Sequence, residues 1–113
     1  MSYDLEFDCG PLPEKHTITG GTYQSGGSRD PWLNITYNYA PFFYALWPDK
    51  GIRSLYGRTA GEVIKAIDAV LPKMKGEPSR NYWDATEGNA KEAPKGLRSL
   101  AEMCPADSIL SGD

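Results

Sequence analysis

Tyr3, Leu5 and Phe7 alternate with Asp4, Glu6 and Asp8, the period-two pattern of a strand with one apolar and one charged face. Gly10-Pro11-Leu12-Pro13 ends that strand. The β-branched stretch from His16 to Thr22 predicts a second strand, paired with the first as a hairpin, and Gly20-Gly21 and Gly26-Gly27-Ser28 predict a loop after it. Between Trp32 and Trp47 the pattern supports two readings. Leu33, Ile35, Tyr37 and Tyr39 alternate, which predicts a strand with Asn34, Thr36 and Asn38 on its other face. Asp30-Pro31 is nevertheless a good helix opening, and Ile35, Tyr39, Phe42 and Leu46 fit a helical stripe. Pro41 breaks a helix interior but can open a new helix, so we assign an extended segment at 32–39 and a short helix at 41–47.

The second half is helical in pattern. Trp47-Pro48-Asp49-Lys50-Gly51 reads as a turn and residues 52–58 as a connector. Thr59 and Glu62 form a capping box, in which hydroxyl and carboxylate satisfy free backbone amides reciprocally. The helix behind it places Val63, Ile64, Ile67, Val70 and Leu71 on one face, leaves Lys65 and Asp68 outward, and closes at Pro72 and Gly76. Residues 77–85 form a loop carrying Tyr82-Trp83. A last helix is predicted from Thr86, with Ala90, Ala93, Leu97, Leu100, Ala101 and Cys104 on its stripe. Pro94 lies inside it, at a cost of ~3 kcal/mol or more. The helix must therefore kink there or restart with Ala93 extended. Pro105 ends the pattern, and Ile109 and Leu110 of the tail can dock. The expected fold is α+β, an N-terminal antiparallel β-hairpin or small sheet packed on two or three helices, in a single domain spanning 1–113.

Composition refines this picture. Seven of the thirteen aromatic residues fall between Trp32 and Trp47, and each ring buries ~150–250 Å², so this segment must form core or a binding face. Three Trp exceed what a small core needs, and we expect two of them to be buried. No run approaches the length of a membrane span, and the acidic N-terminus excludes a secretory signal peptide, which together imply a cytoplasmic protein. The net charge of −3 is unevenly spread: residues 31–80 hold seven bases and four acids, whereas the acids dominate on either side. An acidic chain argues against direct nucleic-acid binding. Protein or small-molecule partners remain.

Catalytic and metal sites find few parts. The chain has one histidine, His16, read as solvent-facing or hydrogen-bonded rather than as a ligand. Asp4, Glu6 and Asp8 can attract a hard cation, but the charged face of a hairpin explains them as well. A Cys9–His16 pair lacks a third orienting group. Cys9 and Cys104 read as two small apolar fillers that stay reduced in a cytosol, with a long-range disulfide as the alternative. No catalytic residue, metal or cofactor is assigned.

Binding candidates are better represented. Lys50, Arg53, Arg58 and Lys65 make a modest basic cluster leading to a helix start, where amides can hold an anion, and Tyr56 can add stacking. Asn34, Thr36 and Asn38, if extended, present uncharged donors and acceptors on one face. The competing reading is that they cap the following helix and satisfy backbone groups. Tyr82 and Trp83, with Trp47 and Trp32, read either as core or as exposed anchors, Tyr and Trp being enriched at interface hot spots.

Asn34-Ile-Thr-Tyr-Asn38, Gly51-Ile-Arg-Ser-Leu-Tyr-Gly57, Tyr82-Trp83-Asp-Ala-Thr-Glu-Gly-Asn-Ala90 and the terminal Ser-Gly-Asp form a recognisable set. Together they resemble small proteins encoded in bacteriophage and prophage genomes, over about two-thirds of the chain from residue 16 onward, a likeness that carries no active site. Pro94 departs from the uninterrupted C-terminal helix expected of such proteins. The resemblance implies an accessory protein that binds a host protein or ribonucleoprotein, such as an anti-CRISPR inhibitor of a bacterial defence complex, by steric occlusion. The alternative is a small-ligand binder that uses Asn34, Thr36, Asn38 and the Arg53–Arg58 cluster around a nucleotide-like anion.

Overall fold

A computed structural model describes residues 2–16, 29–74 and 86–112. Three strands, β1 (Ser2–Phe7), β2 (Trp32–Thr36) and β3 (Leu110–Gly112), accompany three helices, α1 (Ala40–Leu46), α2 (Ala60–Val70) and α3 (Glu87–Met103). The small α+β architecture is the expected one. The sheet order is β2-β1-β3 with both pairs antiparallel. Tyr3 lies opposite Ile35 and Leu5 opposite Leu33 on one side of β1, and Phe7 lies opposite Leu110 on the other. The period of two does its work here: Tyr3, Leu5 and Phe7 are buried while Asp4, Glu6 and Asp8 face out. Among the described residues β1 has β2 and β3 as partners; the strand predicted to reach Thr22, with its hairpin, lies outside them, as do the two glycine pairs and Gly76.

The aromatic segment divides where its two periods compete. It is a strand only as far as Thr36. Tyr37–Tyr39 is a 3-10 turn, and α1 starts at Ala40 with Pro41 in its first turn, where the missing N–H costs nothing. The extended reading of 32–39 therefore fails at its last three residues, because the turn drives Tyr39 and then Phe43 into the interior. Both are fully buried, with ring centroids 6.4 Å apart in edge-to-face geometry. The tryptophans correct another expectation: Trp32 is 38% exposed and Trp47 only half-buried.

Helix α2 opens on the predicted capping box. The Thr59 Oγ1 accepts from the Glu62 amide at 3.2 Å, and the Glu62 Oε1 accepts from the Thr59 amide at 3.0 Å. Val63, Ile67 and Val70 are buried, Ile64 and Leu71 are half-buried, and Lys65 and Asp68 are outward. Pro72 sits in a short 3-10 turn, Leu71–Lys73, that ends this segment.

Helix α3 starts at Thr86, whose hydroxyl accepts from the Asn89 amide at 3.2 Å. It continues through Pro94 to Met103, so a restart with Ala93 extended does not occur. The reason is burial: Ala90, Ala93, Leu97, Leu100 and Ala101 form one interior stripe, and each large apolar side chain buried contributes ~1.5–3 kcal/mol, which outweighs the proline's cost. The Arg98 guanidinium ties α3 to α2 through both oxygens of Asp68, at 2.5 and 3.1 Å, and also pairs with Glu102 on its own helix. No helix among the described residues is long and apolar enough to cross a membrane.

Candidate functional site

The connector between α1 and α2 builds an open groove of about 390 Å³. Its walls are set by two tight turns and a 3-10 segment. The Trp47 amide donates to the Phe43 carbonyl and the Gly51 amide to the Trp47 carbonyl, both at 2.8 Å. Gly51 has φ +61°, the left-handed region that favours glycine. A Cβ there would also lie 3.5 Å from the Tyr44 ring. The 3-10 segment Gly51–Leu55 then points Ile52 and Leu55 into the core, leaving Arg53, Ser54 and Tyr56 half-buried along the groove.

The far wall is stitched to the C-terminal strand. Gly57, at φ +85°, donates its amide to the Leu110 carbonyl at 2.8 Å, and the Leu110 amide donates to the Arg58 carbonyl at 2.9 Å. Tyr56 lies so close to β3 that a Cβ on Gly112 would come within 2.5 Å of its Cζ.

Three cations, Lys50, Arg53 and Arg58, line this groove with Trp47, Tyr56, Ser54 and one acid, Asp49. Arg53 is held in place from behind. Its guanidinium carbon lies 5.0 Å from the Tyr3 ring centroid and 5.7 Å from that of Tyr37, within cation–π range. Its Nη2 donates to the Tyr37 hydroxyl at 3.2 Å. Tyr3 and Tyr37 pack edge to face with centroids 4.6 Å apart. Burial opposes the guanidinium's charge, but the phenols of Tyr37, Tyr3 and Tyr56 outweigh it, and the Arg53 pKa is raised. Burial likewise raises the Tyr3 phenol above 10.0, with Arg53 pulling the other way. Arg53 is therefore a fixed cation on a pre-set aromatic support, and little side-chain entropy is left to lose on binding.

The predicted site residues separate into three groups. Arg53, Tyr56 and Arg58 come together in the groove. Asn34, Thr36 and Asn38 do not join them, and the three do not form one strand face: Asn34 and Thr36 alternate on β2, but Asn38 has left the strand for the 3-10 turn. The Asn34 amide donates to the Ser2 hydroxyl at 2.6 Å and to Asp4 Oδ1 at 2.9 Å, and so braces β2 on β1. Thr36 is buried and its hydroxyl accepts from the Asn38 amide at 3.3 Å, capping the 3-10 turn that carries Asn38 off the strand. The capping reading of these residues is the one realised at Thr36. Tyr82 and Trp83 lie outside the described residues. Of the basic cluster, Lys65 points outward on α2 and is not a groove residue.

Sequence reasoning read Trp47 to Gly51 as a turn, with Trp47 as core or anchor and Lys50 in the basic cluster, and so missed Asp49 as a groove residue and Trp47 as the neighbour of those cations. The closeness of Lys50, within that turn, to Arg53 and Arg58 after it hinted at a shared surface. A second hollow, about 430 Å³ near Asp68, Leu71, Pro72, Lys91 and Lys95, has no aromatic lining.

The other titratable side chains singled out in the sequence are engaged elsewhere in the fold. His16 is buried, with its ring Nε2 donating to the Asp30 carbonyl at 2.8 Å, and is not a groove residue. Asp4 accepts from Asn34, and Asp8 Oδ1 accepts from the Ile109 amide at 2.7 Å. No three His, Cys, Asp or Glu side chains among the described residues converge to hold a metal ion. What the groove offers is positive charge beside indole and phenol faces. In comparisons with protein families, curated proteins and solved structures, no match was found.

Proposed function

We propose that this protein acts by binding, and that the groove from Trp47 to Arg58 docks an acidic segment of a host protein. In this reading it is a phage-type accessory protein that occludes a macromolecular surface, such as that of a bacterial defence complex. The phage context rests on the residue resemblance alone. The docking surface rests on one observation: Trp, Tyr and Arg, the side chains most enriched at interface hot spots, gather around a single groove in which cations outnumber acids three to one. Tyr44, 43% exposed, extends that aromatic surface beyond the groove rim, beside Gly51.

The test is capture of a partner from bacterial lysate by the tagged protein, followed by affinity measurement with purified components. Trp47→Ala and Arg58→Glu are each expected to weaken the complex by ~30-fold or more, the loss typical of a hot spot. Unchanged affinity in both variants refutes the groove as the contact surface.

A second reading is favoured by the size of the groove. Its volume of about 390 Å³ falls in the range of small-molecule sites, ~300–1,000 Å³, and Tyr56 and Trp47 can stack a base while Arg58 and Lys50 meet a phosphate. A nucleotide panel that raises the melting temperature supports this nucleotide-like anion binder, and a panel with no effect removes it.

A further inference from the structure

The groove between Trp47 and Arg58 is locally positive in a chain that is negative overall. The protein carries a net charge of −3, yet three cations and one carboxylate line this hollow, an excess of two positive charges. That excess is not neutralised from within. Among the described residues, none of Asp49, Lys50 and Arg58 forms an ion pair, whereas Arg98 and Lys95 do so on the helices, with Asp68, Glu102 and Glu92.

The groove cations differ in kind. Lys50 and Arg58 are exposed, and Arg53 is half-buried. The Arg53 guanidinium lies 5.0 Å from the Tyr3 ring centroid and donates to the Tyr37 hydroxyl at 3.2 Å. A planar fork fixed in this way suits the paired oxygens of a carboxylate or a phosphate. Ser54 adds a half-buried hydroxyl to the same lining, and Trp47 and Tyr56 add flat aromatic faces. Charge separates the two anions. A carboxylate brings one negative charge and leaves half of the excess unmatched. A phosphate monoester brings about −1.5 to −2 near pH 7 and three strong acceptor oxygens, which matches it in a single compact group.

We propose that the groove recognises a phosphate monoester borne on a planar ring, with the phosphoryl group held by Arg53, Arg58 and Lys50 and the ring set against Trp47 and Tyr56. The inference rests on the groove as the binding surface argued above and narrows its occupant. The partner's acidic segment is one that carries a phosphorylated tyrosine; a nucleoside monophosphate presents the same chemistry from a second source.

The full chain is titrated at pH ~7.5, where the monoester is a dianion, and followed by two-dimensional amide NMR, which reads affinity and location together. The probes are phenyl phosphate, phenyl sulfate, benzoate and inorganic phosphate. Phenyl sulfate keeps the shape of phenyl phosphate but carries one charge. Phenyl phosphate is expected to bind at least about tenfold more tightly than each of the others, shifting the amides of Ser54 and Arg58. Arg53→Lys keeps the charge but loses the fork, and should bind phenyl phosphate about tenfold more weakly while its spectrum shows the fold retained. A short tyrosine-phosphorylated peptide and adenosine monophosphate then tell the two sources apart, the tighter of them naming the occupant. Phenyl sulfate or inorganic phosphate binding as tightly as phenyl phosphate overturns the proposal, as does the absence of any shift. Benzoate binding as tightly also overturns it, but leaves a groove that docks carboxylates. The groove reading itself fails separately, on partner affinity that Trp47→Ala and Arg58→Glu leave unchanged.

Discussion

Gly112→Ala removes no contact, yet it should damage both the fold and the groove. A Cβ at this position would sit 2.7 Å from the Asp4 carbonyl oxygen, 2.5 Å from Tyr56 Cζ and 2.7 Å from its hydroxyl, all well inside van der Waals contact. Tyr56 can swing aside, but Asp4 belongs to the central strand of the sheet and its carbonyl cannot. β3 must therefore retreat from β1, opposite Leu5. Overpacking of this kind costs ~1–3 kcal/mol, and weakening one ladder hydrogen bond adds ~0.5–1.5 kcal/mol. The expected loss is about 2 kcal/mol or more, a substantial part of the ~5–15 kcal/mol that holds a domain folded, and it corresponds to a fall of about 10 °C in melting temperature. Gly61→Ala is the matched control. Its Cβ would lie 3.6 Å from the Ala106 carbonyl oxygen, an ordinary contact, and alanine favours the helix by ~0.5–1 kcal/mol at most. Urea unfolding followed by tryptophan fluorescence, with the same preparations assayed for partner binding, separates the two. The reasoning fails if Gly112→Ala unfolds at the wild-type midpoint, because β3 would then be free to move at no cost.

Other substitutions probe the helices and the core. Pro94→Ala restores a backbone N–H worth ~3 kcal/mol in a helix interior and loses about two buried methylenes at ~0.8 kcal/mol each. A net gain of about 1 kcal/mol in urea unfolding is expected, and a destabilised variant would show that the ring's packing dominates. Thr59→Ala removes half of the capping box and should cost ~1 kcal/mol, read in the same assay. The Glu62 carboxyl is held below its ordinary value of 4.5 by hydrogen bonds from the Thr59 backbone and side chain. Its folded-state pKa is the lower one, so its contribution is full above 4.5 and lost as pH falls through the folded value. Wild type should therefore lose more stability than Glu62→Gln in acid, and parallel pH profiles would contradict the capping geometry. Phe43→Ala empties a fully buried site and should cost ~3–5 kcal/mol, seen as a large drop in the urea midpoint.

The sequence by itself determined whatever depends on neighbours along the chain. Alternation fixes which face of β1 is inside, because successive side chains point to opposite sides of a strand. Thr59, Glu62 and Thr86 mark their helix starts because a cap is satisfied within three residues. The cations Arg53 and Arg58, with Tyr56 between them, were also legible, as a run of residue types in one connector.

Tertiary packing decided the rest. Residues 32–39 fit two periods equally well, and only the interior space taken by Tyr39 and Phe43 selects the turn after Thr36. Pro94 stays helical because the stripe from Ala90 to Leu100 is buried on both sides of it. β3 is three residues long, too short to carry a period, and exists because β1 and Arg58 supply its hydrogen-bond partners. The same long-range pairing brings Tyr56 against Gly112. Contacts between residues so far apart leave no local pattern, since they are chosen by which buried surfaces and backbone groups can be satisfied together.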